Sequence, residues 1–282
     1  MDKVTLDIIW GKLQATSDEM GVILAKASMS PVIYEVLDFA CGLCDNKGEC
    51  ISIQNGITIF TGTFTSDVQI ILKKFDKDIN NGDIFLLNDP HYSGTHLNDV
   101  SVIKPIFVDD KLIAFAIADA HWADIGGSAP GSISPQASEI YQEGVQLPGV
   151  RLYKKGDIQK DIIDIISSNV RYPTLAIGDL NAEVAAVNIA EKRLNEIVKK
   201  YGADKVFTTF EYLKDTSEKI SIKAIQSMPN GIYEVEDIID GDSFKEDPIP
   251  IKLKLTIKDE EIEFDFEGTS DFSESPLKCG KG

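Results

Sequence analysis

Two apolar runs joined by a short polar turn constrain this chain most. Residues 100–108 and 112–120 are rich in β-branched and aromatic or small apolar side chains, and Asp109-Asp110-Lys111 lies between them. Two such runs around so short a turn predict an antiparallel hairpin. In a hairpin the start of the first strand lies beside the end of the second. Those two ends carry the same short pattern, His96-Leu-Asn-Asp99 entering the hairpin and His121-Trp-Ala-Asp124 leaving it. Only one further histidine occurs in the chain, His91, five residues upstream of the first pattern.

A histidine or an aspartate in a loop is by itself an ordinary solvated or turn-forming residue. Two His-x-x-Asp pairs brought to one end of a sheet, in loops rich in Gly and Pro, favour a site instead. We therefore expect His96, Asp99, His121 and Asp124 to converge as ligands of one divalent ion. Mixed nitrogen and oxygen donors suit Mn²⁺, Fe²⁺ or Zn²⁺. Asp89, His91 and Asp119 are expected close by, as an extra ligand, a supporting group or a base, although Asp89 before Pro90 reads equally as a turn former.

The rest of the chain organises around that hairpin. Residues 5 to about 26 repeat apolar side chains at helical spacing, with Thr5 or Asp7 as the expected cap. Residues 38–60 read as strands, with a hairpin turning at Asp45-Asn-Lys-Gly48. A helix is expected from Phe64 to about Phe75, with Ser66 and Asp67 near its start, and a strand over 84–87. Residues 121–138, with Gly126, Gly127, Pro130, Gly131 and Pro135, read as a loop. Helices are expected at about 157–169, 175–201 and 203–227, followed by strands at 232–239, 249–257 and 261–266. The expected class is α+β: a mostly antiparallel sheet with flanking helices, a helical segment in the middle and an incomplete β region at the end. The corresponding division is 1–156, 157–228 and 229–282. One face of the last region, Ile251, Leu253, Leu255 and Ile257, is apolar and needs covering, either by another polypeptide or by residues 203–227 folding back as a helix.

Charge and cysteine usage exclude several classes. With 28 basic and 46 acidic side chains the net charge is −18, which repels phosphate backbones and argues against nucleic-acid binding. No apolar run is long enough to span a bilayer, and 43% hydrophobic residues suffice for a real core. Four cysteines and no basic-then-apolar leader point to a cytoplasmic protein. Cys41-Gly-Leu-Cys44, with Cys50 nearby, lacks the second pair a zinc site needs and reads as half-buried strand residues. No phosphate loop, dinucleotide fingerprint or nucleophile elbow is present.

Several stretches carry a wider resemblance: Asn88-Asp-Pro90, Gly94-Thr-His-Leu-Asn-Asp99, Ala120-His-Trp-Ala-Asp-Ile-Gly-Gly127, Pro130-Gly-Ser132 and Glu139-Ile-Tyr-Gln-Glu-Gly144. With Asp18-Glu-Met20, Leu37-Asp-Phe-Ala-Cys41, Gly178-Asp-Leu-Asn-Ala182 and residues 264–270, they resemble the N-terminal portion of the N-methylhydantoinase B family. That family includes the C-terminal half of 5-oxoprolinase and a large subunit of acetone carboxylase. His91 stands where an aromatic residue is usual and Glu183 where Gln is usual; neither touches the paired motifs. The resemblance implies a subunit that works with an A-type partner, which binds ATP and activates a carbonyl oxygen by phosphorylation. This chain would then hold the metal-dependent half-reaction, hydrolytic opening of a cyclic amide or imide. The resemblance further implies a small-molecule substrate and a remaining B-type segment, on the same or a separate chain. Carboxylation of a ketone, or a non-catalytic assembly role, are the alternatives.

Overall fold

The computed structural model describes residues 2–54, 56–93, 95–241, 244 and 247–270. Helix α1 (Lys3–Ala27) starts earlier than its apolar pattern, because Asp2 supplies the cap: its side chain accepts from the Thr5 backbone N–H at 2.9 Å. A short α2 (Pro31–Tyr34) leads into strand β1 (Phe39–Asp45) and, across the expected turn, β2 (Cys50–Ile53). Helix α3 (Thr58–Phe75) begins six residues before its expected start, so residues 58–60 are helical and Asp67 sits buried in mid-helix. Strand β3 (Ile84–Leu87) and a single helical turn α4 (Pro90–Ser93) precede the hairpin of β4 (Asp99–Val108) and β5 (Lys111–His121). That hairpin turns through Asp109 and Asp110, both at positive φ, the two-residue turn whose twist matches its strands.

Strands β6 (Val150–Lys154) and β7 (Asp157–Ile158) lie outside the elements expected from sequence; residues 157–158 are extended where a helix start is expected. Helices α5 (Lys160–Asn169), α6 (Pro173–Tyr201) and α7 (Ala203–Gln226) follow, then β8 (Gly231–Ile239), β9 (Ile249–Lys258) and β10 (Glu261–Asp265). The class is α+β. Seven strands form one antiparallel sheet in the order β2-β1-β5-β4-β3-β6-β7, and β10-β9-β8 form a second.

Strand alternation divides the large sheet into two buried faces. Ala40, Cys44, Phe85, Ile103, Phe115 and Ile117 pack under α3 through Phe60, Phe64 and Val68. The opposite face, including Leu43, Val102, Ala116 and Ala118, packs against α1 and α6 through Leu13, Met20, Leu180, Val187 and Leu194. Each Val, Leu, Ile, Phe or Met side chain so removed from water contributes roughly 1.5–3 kcal/mol. The middle helices therefore share one core with residues 1–156. Lys104, a cation in the middle of β4, pairs with Glu191 at 2.6 Å and Asn188 at 2.7 Å on α6. Among the described residues no helix is long and apolar enough to cross a membrane.

The second sheet is different. Ile232, Val235, Ile238 and Phe264 stand more than half exposed, whereas Ile257 is buried. Helix α7 packs against β10, and among the described residues Ile232, Val235, Ile238 and Phe264 remain exposed beside it.

Candidate metal centre

The hairpin register creates the site. Asp99 pairs directly with His121 and Ser101 with Asp119, so all four side chains point to the α3 side of the sheet. His96, just before β4, turns its ring onto the same place. His121 Nδ1 lies 3.0 Å and His96 Nε2 3.4 Å from Asp99 Oδ1, and the two imidazole rings meet edge to face at 4.9 Å. One donor atom from each of His96, Asp99 and His121 falls within 4.8 Å of the others. Burial, the largest influence, holds the His96 imidazole below its ordinary pKa; the Asp99 charge opposes this and His121 reinforces it. His96 Nδ1 is buried with no hydrogen-bond partner among the described residues.

Asp124 does not join them. Its carboxylate accepts from the Arg171 guanidinium at 2.9 Å, the Arg171 backbone N–H at 2.6 Å and the Gly126 N–H at 3.3 Å. Arg171 also bonds the Gly126 and Gly127 carbonyls, tying the 122–131 loop to the segment before α6. A side chain at Gly126, which has φ +91°, would press on the Asn169 carbonyl at 2.4 Å, so this loop needs glycine. Two aspartates at equal spacing thus take different roles, because a cation 47 residues downstream claims one.

Asp89 and His91 form a local pair. Asp89 Oδ1 accepts from the His91 backbone N–H at 3.0 Å and faces His91 Nδ1 at 3.1 Å, with the His91 ring exposed. The turn-forming reading of Asp89 fits this geometry; neither residue belongs to the three-donor cluster. Asp119 lies one rung below His121, facing Ser101. Burial first, then the Asp99 and Asp67 charges, push its carboxyl well above the usual range. Ser101 donates to Asp67 at 3.0 Å, and burial raises Asp67 to about 7. This setting suits a buried acid better than a solvent-facing base.

Sequence reasoning assigns Asp38 no role. Its carbonyl accepts the His121 N–H at 3.0 Å, and its charge acts on both His96 and Asp119. Leu37, at φ +61°, turns the chain sharply just before it, a strained conformation for a branched side chain. The sequence signal available is position: Asp38 directly precedes β1, which pairs with the end of β5.

Residues 2–282 match the family model for hydantoinase B/oxoprolinase. The chain belongs to the hydantoinase B/oxoprolinase family. Among members, a putative D-/L-hydantoinase B polypeptide of a Pseudomonas species is 33% identical over 96% of this chain and 47% of its own length. The crystal structure of an ATP-dependent caprolactamase from Pseudomonas jessenii superposes with a TM-score of 0.89, at 30% identity over 95% of this chain and 46% of the other. Nucleotide-free acetone carboxylase shares the fold, with a TM-score of 0.88 at 20% identity over 95% of this chain and 38% of the other. This hydantoinase B/oxoprolinase chain spans about half the length of the curated relatives it matches.

Proposed function

We propose that this chain is the B-type component of an ATP-dependent enzyme that opens a cyclic amide or imide by hydrolysis, with a divalent metal held by His96, Asp99 and His121. The observation that carries the reading is the three-donor cluster at the end of β4 and β5. The cluster fits an ion: burial favours the neutral, ligand-competent form of His96, and each imidazole turns a nitrogen toward Asp99 Oδ1. Such an ion would polarise a carbonyl oxygen or lower the pKa of water.

The chain's own groups order the site around it. Asp99 Oδ1 faces one nitrogen of each imidazole and so gathers the three donors at one spot. Asp119, Ser101 and Asp67 form a buried polar layer behind Asp99 on the same face of the sheet. ATP, on this reading, is bound by an A-type partner; no phosphate-loop sequence occurs here. The exposed β8–β10 sheet is assigned to the remaining segment of the B-type polypeptide, on the same or a separate chain. The reading places the protein in the cytoplasm and its substrate among small molecules.

Metal analysis of the purified chain tests the first element. A stoichiometric transition metal, reduced at least about tenfold by His96→Ala, is expected. A chain without bound metal after loading with Mn²⁺, Fe²⁺ and Zn²⁺ overturns it and favours an assembly role. The second element is tested with an A-type partner, ATP and hydantoin, 5-oxoproline or caprolactam. Ring opening that needs both polypeptides is expected; ATP-dependent turnover by this chain alone, or of a ketone with bicarbonate instead, refutes the assignment.

A further inference from the structure

Away from the proposed metal centre, the three described cysteines are all free and sit together at one edge of the large sheet. Cys41 and Cys44 resemble a Cys-x-x-Cys redox motif in sequence, yet β1 separates them. Three residues apart on a strand, they point to opposite faces: Cys41 into the α1/α6 core and Cys44 into the α3 core. The partner of Cys44 is Cys50. A bulge at Ile51 shifts the β1/β2 register so that Cys44 and Cys50 face each other directly across the two strands. Directly opposed residues of antiparallel strands have Cα atoms roughly 4.5–5.5 Å apart, inside the roughly 4.4–6.8 Å window a disulfide requires.

The two thiols differ in access. Cys44 is fully buried, whereas Cys50, on edge strand β2, is partly exposed. The neighbouring Cys44 thiol holds Cys50 below the usual thiol range, while Cys44 itself is pushed well above it. A partly exposed, thiolate-prone cysteine beside a buried one is the arrangement of an attacking and a resolving cysteine.

We propose that Cys50 and Cys44 form a peroxide-oxidisable dithiol, Cys50 meeting the oxidant at the sheet edge and Cys44 resolving it into a cross-strand disulfide. The Cys50 thiolate attacks one oxygen of hydrogen peroxide. An S–O bond forms as the O–O bond breaks, the peroxide takes two electrons from sulfur, and hydroxide leaves with a proton as water. Cys44 then gives up its proton and displaces hydroxide from the Cys50 sulfenic acid. The S–S bond forms, the S–O bond breaks, and a second water leaves. The register already sets the two residues opposite one another.

Tryptic mapping tests this directly, since Lys47 lies between the two cysteines. The folded full chain is treated with hydrogen peroxide, alkylated, and digested without reduction. Peptides 27–47 and 48–73 are expected to remain joined and to separate on reduction, with fragment ions locating the bridge at Cys44 rather than Cys41. In Cys44→Ser the joined pair should vanish and Cys50 should instead be trapped as sulfenic or sulfinic acid. Cys50 left reduced, or oxidised singly, in the wild-type folded chain overturns the proposal. So does a bridge to Cys41, or a joined pair that persists in Cys44→Ser.

Discussion

Asp67 is a carboxyl buried within α3, held by the Ser101 hydroxyl and raised by burial from 3.8 to about 7. A folded-state pKa above the unfolded value means the native protein binds the extra proton between those two values. Stability therefore falls as pH rises from about 4 to about 7, by at most about 4 kcal/mol for this one group. Asp67→Asn should remove that slope, so thermal unfolding followed from about pH 5 to pH 8 should show the variant gaining on the wild type as pH rises. A constant difference across that range would refute the assignment. Arg171 makes the opposite case, a cation that satisfies the buried Asp124. Arg171→Ala should cost about 2–3 kcal/mol in denaturant unfolding, because it strands that carboxylate, and Arg171→Lys should recover only part. The same contrast explains what is legible in the sequence at this scale. His96, Asp99 and His121 are legible because the repeated spacing is fixed by one hairpin. Asp124 falls outside the cluster it is expected to join because Arg171 lies 47 residues away and no local pattern announces it.

The hairpin itself is legible as an element, since its apolar runs, turn and pairing all follow from local chemistry. Its turn places Asp109 and Asp110 at φ +48° and +60°, where asparagine and glycine fit with less strain. Asp109→Asn with Asp110→Gly should therefore stabilise the chain by about 0.5–1 kcal/mol in equilibrium unfolding and leave metal affinity unchanged. Helix starts are less legible. The first turns of α3, from Thr58 to Gly62, are built from β-branched residues and glycine, which read as strand or turn in isolation, and tertiary packing of Phe60 and Phe64 overrides that preference. Strand β6 is hidden in the sequence because Val-Arg-Leu-Tyr-Lys is short and gains its meaning from pairing with β3, more than sixty residues earlier.

For the molecule as a whole, the contrast is between a large sheet sealed on both faces and a three-stranded one with Ile232, Val235, Ile238 and Phe264 open to water. At about 25 cal/mol per Å² such a surface favours association, although a net charge of −18 opposes self-association at low salt. Light scattering of the isolated chain should show a mass that rises with protein and salt concentration, together with binding of an apolar dye. A monomer that binds no dye under all conditions would show that this sheet needs no partner. The large sheet carries a consequence of its own. Asp99 and His121 are rungs of one ladder, and a slip of a single residue would turn His121 toward α1 and α6. Threading the hairpin correctly and assembling the donor trio are then a single event, so on the proposed reading a metal titration would count molecules in register, and a misthreaded population would be silent in it.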